Sequence, residues 1–120
     1  MLLPHDHHQN SEHILSCVPD DADFETVSRL FRQIADPVRI KIMWLLCHTE
    51  ECVLNIAAMV DMSSPAVAHH LKLLKTAGLI ESRKEGKEVY YKATDTPEAA
   101  ALHIMIEQLM AISCPDKDKK

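Results

Sequence analysis

With 120 residues, 47% of them hydrophobic, the chain is long enough for one domain with a modest core and too short for a second independent one. The N-terminus has neither the basic nor the apolar region of a secretory leader, and no apolar run approaches the ~20 residues needed to cross a bilayer. The sequence therefore predicts a cytoplasmic protein with no membrane partner, in which the cysteines are reduced. The net charge of −5 argues against general nucleic-acid binding, but basic residues cluster after residue 70, where a local basic face is feasible.

The first half of the chain predicts an arm followed by three helices. Residues 1–19 are polar, rich in histidine and without a helical period, which indicates a mobile arm. Between Asp23 and Ile34 the apolar residues recur at steps of three and four, as on one face of a helix. Asp36 is a typical N-cap, and Pro37 directly after it is typical of the first helical position, so a second helix is predicted to start here. The run "VLNIAAMVD" predicts a short third helix.

A fourth helix and a hairpin come next. "SSPAVAHHLKLLKTAG" predicts a helix that is capped by Ser63 or Ser64, has Pro65 in its first turn and ends at Gly78. After Gly78 the apolar period changes to two, and "LIESRKEGKEVYYKAT" predicts a hairpin with Gly86 in its turn.

The last apolar run, "PEAAALHIMIEQLMAIS", predicts a final helix before a charged tail, residues 115–120. The predicted order is α-α-α-α-β-β-α, a mainly α fold with a small β-hairpin, in a domain that covers residues 20–114. This order, with short helices joined by "DMSS" and a hairpin directly after them, is typical of a winged helix-turn-helix.

In such a fold the fourth helix is the recognition helix and the hairpin is the wing. Small residues near the helix start let the backbone approach the major groove, while Ser, His and Lys side chains donate to bases and phosphates. His69 and His70 are both expected to be exposed. A solvated charged helix and hairpin would look similar, but the ordered series of elements favours DNA binding. The predicted DNA-binding residues are Ser63, Ser64, Pro65, Ala68, His69, Lys72 and Lys75 on the helix and Arg83, Lys84 and Lys87 on the wing.

Two runs, "IADPVRIKIMWLL" and "AVAHHLKLLKTAGLIESRKEGKEVYY", resemble the ArsR/SmtB family of metal- and redox-sensing winged-helix repressors. The resemblance covers residues 24–112. It implies a homodimer that pairs through its first and last helices and binds palindromic double-stranded operator DNA until an inducer arrives. It also implies that Ser64, Pro65, Ala68 and His69 face bases. Pro65 and Ala68 are atypical at those positions, which leaves the operator sequence open.

The resemblance implies a metal site at the third helix. Family members carry two thiolates there, in runs such as "ELCVCDL", whereas "EECVLNI" retains Cys52 and has Leu54 in place of the second cysteine. Other family members complete this site from the arm, which here contains "HDHH" and a cysteine. The mixed N/S ligand set suits Zn(II), with Cd(II) and Cu(I) as further candidates. Alternatively, the histidines are a chance feature of a tail and Cys52 is a core residue. The implied metal ligands are Cys52, Cys17, His5, His7 and His8.

The resemblance also implies a second metal site, on the final helix, but this sequence retains only one of its ligands. Asp95 matches its first ligand, but Pro97, Gln108 and Ala111 occupy the other positions. His103 and Glu107 are four residues apart on that helix, so they either chelate an ion on one helix face or lie at a polar helix edge.

A third option is a thiol switch. Sulfide and persulfide sensors of the family use one cysteine on the second helix and one on the last, and Cys47 and Cys114 lie on those elements, about one turn beyond the expected positions. Cys47 is alternatively a core residue, since unpaired cysteine is among the most buried residue types.

An enzyme is the competing class of protein, with Cys47 or Cys52 as nucleophile and His48 as base. No oxyanion hole is evident and no glycine-rich phosphate loop occurs, so we predict no catalysis and no organic cofactor. A constitutive DNA-binding regulator without an inducer remains an alternative. The predicted function is a repressor that an inducer, such as Zn(II), Cd(II) or Cu(I), releases from its operator.

Overall fold

A computed structural model describes residues 3–5 and 7–111. The chain divides into two compact units after Leu30. The first unit contains a short helix, α1, from Ser11 to Ser16, where the sequence predicted an arm without regular structure. The Ser16 hydroxyl donates to the carbonyl of His13 at 2.6 Å. Six residues are too few to produce a helical hydrophobic period, which is why the sequence did not reveal this helix.

The remaining elements follow the predicted order. They are α2 (Asp21–Ile34), α3 (Pro37–His48), β1 (Glu51–Cys52), α4 (Val53–Val60), α5 (Ser64–Thr76), β2 (Ile80–Glu85), β3 (Glu88–Ala93) and α6 (Pro97–Met110). Helices α2 to α6 are the five predicted helices, and β2 and β3 form the predicted hairpin. Strand β1 is an addition to the predicted order. In the described part of the chain, no helix is long and apolar enough to span a membrane.

Side-chain caps and prolines fix where three of these helices begin. The Asp36 carboxylate accepts from the Arg39 N–H at 3.2 Å at the start of α3. The Ser63 hydroxyl accepts from the Ala66 N–H at 3.3 Å, so Ser63, and not Ser64, caps α5. Helix α6 begins in the same way at Thr96. Each of the three has proline in its first turn, where the missing N–H costs no hydrogen bond.

The three described strands form one antiparallel sheet in the order β1-β3-β2. Strands β2 and β3 pair from Ile80 with Ala93 to Glu85 with Glu88, which leaves a two-residue turn at the wing tip. Gly86 occupies the first position of that turn with φ of 64°, a conformation that glycine adopts without steric cost. Strand β1 pairs with the other edge of β3, with Cys52 opposite Tyr90.

The core of the second unit is built from one face of each helix and the start of the sheet. Buried apolar side chains recur at steps of three and four along the helices, and they hold α4 and α5 at fixed positions. The result is a winged helix-turn-helix, as predicted. The largest fully buried side chains are Ile42, Met43, Ile56, Leu71, Leu74, Leu79, Ile80, Leu102 and Val67.

Candidate DNA interface and candidate metal ligands

The recognition helix, α5, has an inner face that packs and an outer face that is exposed. A short turn joins it to α4, and Asp61 ends α4 in the left-handed conformation with φ of 56°. Val67, Leu71 and Leu74 are buried and fix the rotation of α5. With α5 turned this way about its own axis, predicted DNA-binding residues lie in a row on its outer face, one helical turn apart. A helix with such a face can lie in a major groove and contact bases there. The exposed members of the row are Pro65, Ala68, His69 and Lys72.

His70 differs from the prediction that it is exposed. Its side chain is only 15% exposed, and its Nδ1 lies 3.8 Å from the carboxylate of Asp36, the residue that caps α3. One residue along a helix rotates the side chain by about 100°, so His69 and His70 cannot share a face. His70 therefore faces the start of α3, and His69 remains the candidate for DNA contact.

Lys75, near the end of α5, is exposed but already has a partner. Its Nζ donates to the Ser82 hydroxyl on β2 at 2.8 Å. This bond links the recognition helix to the first strand of the wing. Phosphate contact by Lys75 would have to compete with it.

The wing carries its basic residues in two different settings. Lys84 and Lys87 are exposed near the tip, as predicted. The Arg83 guanidinium instead donates to Glu50 from Nε at 2.8 Å and from Nη2 at 3.0 Å. Its Nη1 donates to Glu85 at 2.7 Å. These hydrogen bonds raise the pKa of Arg83, and the bond from Arg83 is the main reason that the pKa of Glu50 is lowered.

Cys52 lies in β1 and forms the N-cap of α4, one residue before the helix on which the sequence placed it. It is 9% exposed, whereas Leu54, at the position of the family's second thiolate, is 65% exposed. Because Cys52 both pairs with β3 and precedes α4, its backbone joins the wing to the helix-turn-helix.

The described residues of the arm bring a histidine and a cysteine together. Cys17 is exposed, and its Sγ lies 3.8 Å from Nε2 of His13. The rings of His5 and His7 are stacked with their centroids 5.7 Å apart. His13 was not singled out from the sequence, because its approach to Cys17 depends on α1, which the sequence did not predict. Since the arm and the domain are separate units, a joint site of Cys52 with arm residues stays a prediction.

The thiol pair also stays a prediction. Cys47 is half-buried and lines a groove of about 410 Å³ beside the end of α3 and the start of α6. It is thus more accessible than a core residue. Cys114 lies outside the described residues.

A polar cluster joins α3 to α6. Nε2 of His48 lies 3.8 Å from Oε2 of Glu107, and Nε2 of His103 lies 3.7 Å from the same oxygen. The Trp44 indole N–H donates to that oxygen at 2.6 Å. The sequence indicated His103 and Glu107 as neighbours on one helix, but the approach of His48 and Trp44 depends on how α3 packs against α6.

Comparisons with known proteins agree with this fold. The family model described as "Bacterial regulatory protein, arsR family" matches residues 36–82, from the cap of α3 into β2. A cadmium resistance transcriptional regulatory protein CadC homolog of Staphylococcus aureus is 40% identical over 70 residues, and the match spans 58% of each chain. The arsenical resistance operon repressor of Escherichia coli is 38% identical over 80 residues, which cover 66% of this chain and 68% of the repressor.

A solved structure extends the likeness to three dimensions. The homodimeric winged helix-turn-helix DNA-binding domain from Mycobacterium bovis, a possible ArsR-family transcriptional regulator, has a TM-score of 0.66 and 28% sequence identity. The likeness covers 78% of this chain and 89% of that one. The fold, the exposed recognition helix and these matches together show that the chain belongs to the arsR family of bacterial regulatory proteins.

Proposed function

We propose that the chain is a homodimeric transcriptional repressor that binds palindromic double-stranded operator DNA and releases it when a metal ion binds. The observation that carries the DNA-binding part is the outer face of α5, on which Pro65, Ala68, His69 and Lys72 are exposed while the opposite face is packed into the core. The printed descriptions of two relatives, a cadmium resistance regulator and an arsenical resistance operon repressor, support repression and metal control.

The wing adds phosphate contacts to base contacts from α5. Lys84 and Lys87 are exposed on β2 and in the turn, where they can approach the DNA backbone next to the groove that α5 enters. Arg83 has a different role, because its guanidinium faces Glu50 and Glu85. We assign it to bracing the wing against the segment before β1.

Dimer formation is supported by apolar side chains that the single chain leaves in solvent. Large apolar side chains on a helix surface mark a contact with another protein surface when they are grouped. Both helices that the family resemblance assigns to the dimer interface carry such groups, and the similar domain from Mycobacterium bovis is homodimeric. The exposed large apolar residues are Phe24, Val27 and Phe31 on α2 and Ile104, Leu109 and Met110 on α6.

The inducer is proposed to be a metal ion held by Cys52 together with histidines and Cys17 of an arm, from the same or the partner subunit. A thiolate and imidazole set is suited to Zn(II), and also to Cd(II) or Cu(I). Movement of Cys52 on ligation would act on β1, which pairs with the wing strand β3, and on the first turn of α4. The proposed ligands are Cys52, Cys17, His5, His7 and His8.

Operator binding with and without metal tests this proposal. A binding sequence is first selected from random DNA with the chain itself. We then expect Zn(II) or Cd(II) to lower the affinity for that sequence by about 5- to 150-fold, the usual range of allosteric coupling. The Cys52→Ser variant should bind DNA equally well without metal and lose the response, while the matched Cys47→Ser variant keeps it.

Three outcomes would contradict the proposal in different ways. If no DNA sequence is selected, the DNA-binding part is wrong. If metals leave the affinity unchanged while a persulfide lowers it through Cys47 and Cys114, the inducer is a redox species. If neither treatment changes the affinity, the chain is a constitutive regulator.

A further inference from the structure

The polar cluster between α3 and α6 is built like a metal site. One ligand atom from each of His48, His103 and Glu107 lies within 4.8 Å of the other two. In a tetrahedral zinc site with bonds of about 2.0 to 2.2 Å, neighbouring ligand atoms are about 3.3 to 3.5 Å apart. The two His to Glu distances, 3.8 and 3.7 Å, exceed that value by only a few tenths of an ångström. The third pair, the ligand atoms of His48 and His103, lies within 4.8 Å, so the two rings must also approach each other by up to about 1.3 to 1.5 Å before the three atoms surround one ion.

The proton on His48 is placed as a metal ligand requires. Its Nδ1 lies 2.8 Å from the Trp44 carbonyl oxygen, and a carbonyl can only accept, so Nδ1 carries the hydrogen and donates. In the neutral ring this leaves the lone pair on Nε2, the atom that faces Glu107. Backbone carbonyls that hold the far nitrogen of a histidine in this way orient metal ligands in many proteins.

Trp44 fixes the other side of the cluster. Its indole N–H donates to Oε2 of Glu107 at 2.6 Å, and its ring lies against the His48 ring with centroids 4.2 Å apart. The side chains of His48 and Glu107 are 15% and 13% exposed. The carboxylate and the imidazole are thus held in place before any ion arrives, which lowers the cost of ordering them.

The cluster is also open to solvent on one side. His48 and His103 both line the groove of about 410 Å³ that runs beside α3, the wing strands and α6. An ion can enter through this groove, and a water molecule can complete the coordination of three protein ligands.

We propose that His48, His103 and Glu107 bind one divalent transition-metal ion of the zinc class and so connect α3 to α6 within a single subunit. The site is separate from the proposed ligands in the arm. It is also separate from the family's final-helix positions, which here hold Asp95, Pro97, Gln108 and Ala111. Two neutral imidazoles and one carboxylate are borderline and hard ligands, which suit Zn(II), Co(II) or Ni(II) better than ions that need several thiolates.

The chain contains its own reporter for this site, because Trp44 is its single tryptophan and it touches two of the three ligands. We expect Co(II) to quench Trp44 emission saturably at one equivalent per chain in the full-length Cys17→Ser/Cys52→Ser variant, which lacks the thiols proposed for the other site. Loss of a residue that only supports a metal ligand typically lowers metal affinity by about 10- to 100-fold. We expect His103→Gln and Glu107→Gln, made in the same background, to lower the Co(II) affinity by more than this, because each removes a ligand itself.

His69→Gln is the matched control, since it removes an exposed histidine of α5 and should leave the quenching unchanged. Circular dichroism confirms that each variant is folded, and His103, the more exposed of the two histidines, is the safer substitution. The proposal is overturned if the double-cysteine variant shows no saturable quenching. It is equally overturned if His103→Gln and Glu107→Gln bind Co(II) as tightly as their parent. The titration contains no DNA, so its result is independent of whether the chain is a repressor.

Discussion

Arg83 lies on the wing, but its guanidinium already contacts two carboxylates and lies 4.9 Å from the centre of the Tyr90 ring. The pKa of Glu50 is lowered, mainly by the hydrogen bond from Arg83, so this carboxylate stays ionised further into acid than an ordinary glutamate does. A carboxylate whose pKa is lowered on folding contributes stability above its unfolded pKa, and that contribution is lost as the pH falls through the folded value. The pair therefore weakens only in acid, and at neutral pH the full charge of Arg83 is offset by the two carboxylates, so a phosphate gains less from Arg83 than from the lysines.

This difference predicts how single wing substitutions change the salt dependence of DNA binding. Removing one phosphate contact lowers the slope of log K against log salt concentration by about 1. We expect that decrease for Lys84→Ala and for Lys87→Ala, with unchanged sequence preference, and a smaller decrease for Arg83→Ala. Equilibrium binding to a selected operator at several KCl concentrations gives the slopes. A larger slope change for Arg83→Ala than for either lysine variant would show that Arg83 leaves its carboxylates and contacts DNA.

Single residues also show the limit of what the sequence predicts. Adjacent histidines look equivalent in "HHLK", yet His69 is exposed and His70 faces Asp36. The helical period gives the spacing of a face, whereas the packing of Val67 and Leu71 determines which face is turned inward. The approach of His48 to His103 and Glu107 depends in the same way on contacts between α3 and α6, which are far apart in the chain.

At the scale of elements, local signals were sufficient wherever a helix begins with its own cap. Asp36 with Pro37 lies in the sequence itself, and α3 begins where this pair predicts. For α5 the sequence left Ser63 and Ser64 open as the cap, and the structure has Ser63. Strand β1 has no such signal. Its two residues become a strand only because Glu51 and Cys52 pair with the edge of β3, almost forty residues later in the chain.

The cap of α3 is expected to matter for stability. Asp36 accepts from the Arg39 N–H at 3.2 Å and also lies 3.8 Å from the His70 ring. We predict that Asp36→Ala lowers the free energy of unfolding by about 1 kcal/mol, the usual cost of losing an N-cap side chain. Urea unfolding monitored by circular dichroism measures it. Asp95→Ala, which removes an exposed aspartate that does not cap a helix, should change stability by less than half as much. Equal losses in the two variants would show that Asp36 has no special role.

At the scale of the molecule, the chain is a regulatory protein, and the prediction that it is not an enzyme is confirmed by its family. The recognition helix of one chain presents few basic residues, and its wing mixes lysines with Glu85 and Glu88. We expect a single such surface to bind DNA weakly. In the proposed homodimer, two copies on the two halves of one operator would act together, because the second contact is made at high local concentration once the first has formed.

Dimer formation should therefore control DNA affinity, and one exposed leucine can test it. Leu109 on α6 is 79% exposed and Leu54 on α4 is 65% exposed, but only Leu109 belongs to a helix assigned to the dimer interface. We expect Leu109→Glu to shift the chain from dimer to monomer in sedimentation experiments, because a charge would be buried against an apolar partner surface. Operator affinity should fall with it, while Leu54→Glu leaves both unchanged. A Leu109→Glu chain that remains dimeric and binds its operator normally would place the dimer interface elsewhere on the molecule.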